Sequence, residues 1–90
     1  MLTPTDMMQP DALPAETLDV RPVAPKHRFD TIMGAYHRLA HGERLALTVD
    51  HDPECMYYTL LAEQGADAFA FDYLERGPEA WRVVVTRLRA

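Results

Sequence analysis

The densest chemistry in the chain is the run Asp50-His51-Asp52-Pro53-Glu54-Cys55, which sets an imidazole between two carboxylates and four residues ahead of the only thiol. Imidazole is the side chain whose charge changes near neutral pH, so His51 reads as a proton-transfer group or a metal ligand. Imidazole, carboxylate and thiolate are also donor types that bind borderline transition metals such as zinc, iron, copper or nickel. On that reading His51, Asp50 and Cys55 form a partial ligand set for a transition-metal cofactor, completed by His27, Glu75, a second subunit or water. A plainer reading stands beside it. Asp52 caps a helix that Pro53 opens, and His51 bonds a loop carbonyl. Cys55 is then either a small half-buried residue or a thiol activated by the helix start.

Basic residues gather in a second segment: Arg21, Lys26, His27 and Arg28. Arg21 and Arg28 can bind an anion or pair with Asp19, Asp50 or Glu75. Glu75 and Trp81 flank a third segment around Gly77-Pro78, and Trp81 and Tyr73 read mostly as core or rim packing. His37 and His41 have the i,i+4 spacing that chelates a metal on a helix, but no third ligand accompanies them. The sequence contains no evident hydrolytic triad, acid/base pair or phosphate-binding Gly-rich loop.

The elements that position these residues follow from hydrophobic period. Thr17 to Arg21 alternates polar with apolar and reads as a strand. Pro22 and Pro25 frame a loop. Phe29, Ile32, Met33, Tyr36 and Leu39 then form one helical stripe, stopped at Gly42. Arg44 to Val49 alternates again, as do Phe69 to Tyr73 and Trp81 to Thr86. Between them Met56, Tyr57, Leu60, Leu61 and Gln64 line a second helix that ends at Gly65. Glu75-Arg76-Gly77-Pro78 reads as a tight turn. The order β-α-β-α-β-β, with right-handed crossovers, places both helices on one sheet face. The fold class is therefore a two-layer α/β (α+β) sandwich. Its other sheet face, with Ala46, Ala70 and Val84, is open or used in a homodimer. Strands one, two and three then share a C-terminal edge, where ligands favour such sheets. Two helix N-termini at that edge favour anions. Arg21, His27, Arg28, Asp50, His51, Asp52, Cys55, Glu75 and Trp81 are the candidate neighbours there.

A chain of 90 residues is one domain. Residues 1–15 lack any period and are expected as a disordered tail, leaving 16–90 as the domain. Five of the seven prolines lie in the first 25 residues. The net charge of −5 opposes phosphate-directed nucleic-acid binding and anionic membranes. The single cysteine excludes an internal disulfide, and neither a secretory signal nor a spanning segment is apparent. A cytoplasmic location is expected.

Leu18-Asp19-Val20-Arg21-Pro22, Arg28-Phe29, Leu39 with Gly42-Glu43, Asp50-His51-Asp52-Pro53, Tyr57-Tyr58, Tyr73-Leu74-Glu75 with Gly77-Pro78, and Trp81 together resemble the family catalogued as domain of unknown function 2249. That family is related to the TusA/SirA-like proteins, and the resemblance runs from about Thr17 to Arg87. It implies a βαβαββ sandwich with sheet order 1-2-4-3 and strand four antiparallel to the rest. Family members are often encoded near, or fused to, hemerythrin-like and cupin domains and denitrification genes, which implies a redox, hemerythrin-like or cupin partner. Three departures matter. The sulfur carriers place a Cys-Pro pair after strand one, where this chain has Val23-Ala24-Pro25, so sulfur relay is not implied. Cys55 stands where the family usually has proline, and Phe29 where it often has histidine. The expectation is a metal- or anion-binding accessory module in redox or nitrogen-oxide metabolism. The alternative is a protein-interaction module with no ligand of its own.

Overall fold

Leu45, Leu47 and Val49 are buried while their neighbours Arg44, Ala46 and Thr48 are only partly covered. This period of two makes Arg44–Val49 a central strand with one face on the core. The computed structural model describes residues 14–88. The tail expected over residues 1–15 lies outside that range, apart from Pro14 and Ala15.

The elements run β1 (Glu16–Asp19), α1 (Pro25–His37), β2 (Arg44–Val49), α2 (Glu54–Gln64), β3 (Phe69–Arg76) and β4 (Trp81–Arg87). Their sheet has the order β1-β2-β4-β3. Strand β1 pairs parallel to β2, with Leu18 opposite Leu47, and β4 runs antiparallel to both β2 and β3. This is the mixed sheet that the family resemblance implies, built on the element order that the sequence pattern predicts.

The core lies between the sheet and the two helices. Ile32, Met33, Ala35 and Tyr36 come from α1 and Leu60 from α2, packed against Val20, Leu45, Leu47, Val49, Phe69, Val83 and Val85. Each large apolar side chain so buried contributes about 1.5–3 kcal/mol. Two contacts fix the far end of α1. Arg87 donates to the carbonyls of His37 and Leu39, where a helix leaves its carbonyls unpaired. Arg38 forms an ion pair with Glu16 of β1.

Helix α1 ends at His37, with Arg38 as its C-cap, so it stops short of the expected glycine. His41 therefore lies in the following loop, and the His37/His41 spacing is not a helical one. Strand β3 is also longer than expected. It runs through Glu75 and Arg76 and carries a bulge between Tyr73 and Glu75. Among the described residues no helix is long and apolar enough to cross a membrane.

Candidate functional site

Strands β1 and β2 end side by side at Asp19 and Val49, and the helix that follows each begins at this same edge. The loops there are joined by one side chain. Arg28, in the first turns of α1, donates Nε to the Val23 carbonyl at 2.8 Å and Nη2 to the Arg21 carbonyl at 3.0 Å. Its Nη1 and Nη2 also reach both oxygens of Asp50, at 3.0 and 3.2 Å. A planar fork with five donors can satisfy such a set, and a lysine cannot. Arg28 thus staples the β1–α1 loop to the β2–α2 loop and is not a free anion-binding group.

Asp50 serves a second partner. His51 Nδ1 lies 2.9 Å from Asp50 Oδ1. The bonds from His51 and Arg28 hold the Asp50 carboxyl below its ordinary range, so it is ionised and can only accept. Nδ1 therefore carries a proton, and in the neutral form of the ring Nε2 is the acceptor nitrogen. The His51 side chain is 71 % exposed.

Between the two helices, above the ends of β1 and β2, lies a cleft of about 330 Å³. Val20, Ile32 and Val49 form its floor side, Phe29 and Pro25 one wall, and Pro53, Met56 and Thr59 the other. His51, Asp52 and Cys55 stand on its polar side. Neither helix carries a side-chain cap: Ala24 is the N-cap of α1 and Pro53 that of α2. This corrects the expectation that Asp52 caps α2. Asp52 Oδ1 instead accepts the Tyr73 hydroxyl at 2.7 Å. Burial and that carboxylate push Tyr73 up to about 12.

The remaining candidates are distributed around this edge. Arg21 pairs with Asp19 through its backbone N–H and its guanidinium, at 2.7–3.2 Å. The pairing lowers the Asp19 carboxyl to about 2. His27 and Lys26 are exposed on the first turn of α1 and do not line the cleft. Cys55 is exposed, where a half-buried residue is expected. Glu75 is turned away. The bulge after Tyr73 puts it opposite Arg82 on the open sheet face, 4.0 Å from that guanidinium. Trp81 packs against the core beside Tyr73, with ring centroids 6.5 Å apart. Among the described residues no three side chains of His, Cys, Asp or Glu lie together as a metal site. A metal on His51 would therefore need donors from outside them.

The apolar lining, Val20, Ile32, Pro53, Met56 and Thr59, is absent from the predicted site. Its only signal is that these residues sit beside the edge loops in sequence while also serving the helix stripes.

The family model of an uncharacterized conserved protein, DUF2249, matches residues 17–87. No curated protein and no solved structure matches the chain. With its core, its edge loops and its cleft all inside the matched residues, the chain belongs to the DUF2249 family.

Proposed function

We propose that the domain is a binding module that takes a small ligand with an apolar body and an anionic head into the cleft between α1 and α2. One observation carries this reading: the cleft has an apolar lining and lies between two helix starts that lack side-chain caps. The dipole and any unpaired N–H groups at a helix start attract negative charge; at α1 Pro25 has no N–H and that of His27 donates to the Ala24 carbonyl at 2.8 Å, so α2 offers the better start. Four of the five N–H donors of Arg28 are taken by Asp50 and two carbonyls, so its main role is to hold the two loops at the spacing the ligand needs, while its side chain also lines the cleft. An accessory role beside a redox, hemerythrin-like or cupin partner rests on the family resemblance. The lone thiol supports a reducing, cytoplasmic setting.

Amide NMR spectra recorded with hexanoate, and with hexanol as the uncharged control, test the reading. The expected result is movement of the Lys26–Phe29 and Glu54–Met56 amides with hexanoate alone. Equal movement with hexanol removes the anionic head from the proposal. No movement with either leaves the interaction module as the better reading. Leu74 favours that second reading. It is 63 % exposed and lines a depression of about 260 Å³ on the open sheet face with Ala46 and Val84.

A further inference from the structure

Across α2 from the cleft is a second concavity, a groove of about 430 Å³ between that helix and β3. It shares only Asp52 with the cleft. Four aromatic rings line it. Tyr57 meets Tyr58 at 5.1 Å and Phe71 at 5.4 Å, and Phe71 meets Tyr73 at 5.8 Å. Each pair is close to perpendicular, at 73°, 63° and 72°, so the rings stand as walls at angles to one another. Asp52 and Glu54 add two carboxylates, and neither forms an ion pair among the described residues.

The groove already holds one cation of the chain itself. The Arg76 guanidinium lies 3.9 Å from the centre of the Tyr73 ring. Its position depends on the bulge at Tyr73/Glu75. Without it Arg76 would alternate onto the open face; with it Arg76 pairs with Trp81 on the helix side. A ring face attracts a cation through its quadrupole, most strongly for guanidinium and alkylated ammonium groups that shed water readily. Two carboxylates against one guanidinium leave the groove with an excess of negative charge.

We propose that this groove is a recognition site for an organic cation, an alkylated ammonium or guanidinium head, seated among Tyr57, Tyr58 and Phe71 and balanced by Glu54 and Asp52. Arg76 is the internal competitor on the neighbouring ring. The head can belong to a free metabolite or to an arginine side chain of a partner.

The test is an NMR titration of the full chain with three probes: choline, N-acetylarginine methylamide, and 3,3-dimethylbutanol, the uncharged isostere of choline. Binding of either cation, with movement of the Asp52–Tyr58 and Phe71–Arg76 amides and an upfield shift of the probe's own protons, supports the site. The tighter of the two identifies the source of the head. Glu54→Gln and Tyr58→Ala change exposed side chains, and each is expected to weaken binding about fivefold, the size of one such contact. Arg76→Gln is expected to tighten it by a similar factor. Equal binding of dimethylbutanol, or unchanged affinity in both Glu54→Gln and Tyr58→Ala, overturns the proposal. So does the absence of movement with both cations.

Discussion

Arg28 holds both carboxylate oxygens of Asp50 while its remaining donors hold the carbonyls of Val23 and Arg21. The side chain is only 16 % exposed, so these bonds are partly shielded from water. Removing it leaves two loop carbonyls and a carboxylate without their partner. Arg28→Ala is expected to cost about 2 kcal/mol in urea denaturation. Arg28→Lys should recover little of this, because an ammonium cannot span the same acceptors. A lysine variant as stable as the parent would show that charge alone holds the loops.

Tyr73 and Asp52 give a titration that can be read optically. The Tyr73 hydroxyl is held up to about 12, first by burial and then by its bond to the Asp52 carboxylate. A phenol whose folded value is raised contributes stability below its unfolded value of about 10. That contribution is lost as pH rises through the folded value. Absorbance at tyrosinate wavelengths should therefore show a late step near 12 in the folded protein. Asp52→Asn is expected to move that step toward neutral pH, leaving chiefly the part that burial causes. An unmoved step would mean that the carboxylate has no hold on the phenol.

At the acidic end the sign is opposite. Arg21 lowers Asp19 to about 2, and the bonds from His51 and Arg28 and the Arg38 partner lower Asp50 and Glu16 respectively. Each stays ionised in the folded chain at a pH where the unfolded chain has begun to take up protons. Their contribution is in place above the ordinary values of 3.8 and 4.5 and fades as pH falls toward 2. Thermal melts should be flat from pH 8 to about pH 5 and fall steeply below pH 4. Arg21→Gln is expected to lessen the fall between pH 4 and pH 2, and an unchanged slope would remove Asp19 from the account.

Much of this arrangement is legible in the sequence, and the misses have identifiable causes. Leu45, Leu47 and Val49 show their face because a half-buried strand needs a period of two, and Ile32, Met33 and Tyr36 because a helix on a sheet needs one stripe. The pairing of Arg28 with Asp50 follows from two loops that parallel strands bring to one edge. Glu75 is misplaced because Glu75-Arg76-Gly77-Pro78 reads as a tight turn in sequence, whereas β3 runs on through Arg76. One bulged residue, Leu74, reverses the faces beyond. Asp52 is misread as a cap because local capping rules cannot register a hydroxyl 21 residues away.

Gly77 has a packing reason as well as a backbone one. Its φ is +60°, a region that residues with a Cβ rarely adopt. A Cβ built there would lie 2.6 Å from the Trp81 indole. That ring packs on the core and on Tyr73, so it has little freedom to yield. Gly77→Ala is expected to cost about 2–3 kcal/mol, backbone strain and overpacking together. The expected spectroscopic mark is a change in Trp81 fluorescence, since this is the only tryptophan. A variant with unchanged stability and emission would mean that the β3–β4 turn rebuilds around the methyl group.

The last prediction concerns the proton on His51. Nδ1 lies 2.9 Å from an Asp50 oxygen that is also held by Arg28. An ionised carboxylate only accepts, so the neutral imidazole must carry its proton on Nδ1. Free histidine prefers the other nitrogen, and the preference must be reversed here by the bond to Asp50. Long-range proton–nitrogen spectra above the pH where the ring is neutral are expected to show the Nδ1–H form in the majority. Asp50→Asn removes the charge, so the population should swing back toward Nε2–H. A majority of Nε2–H in the parent protein would show that Asp50 is held by Arg28 alone and does not orient the histidine.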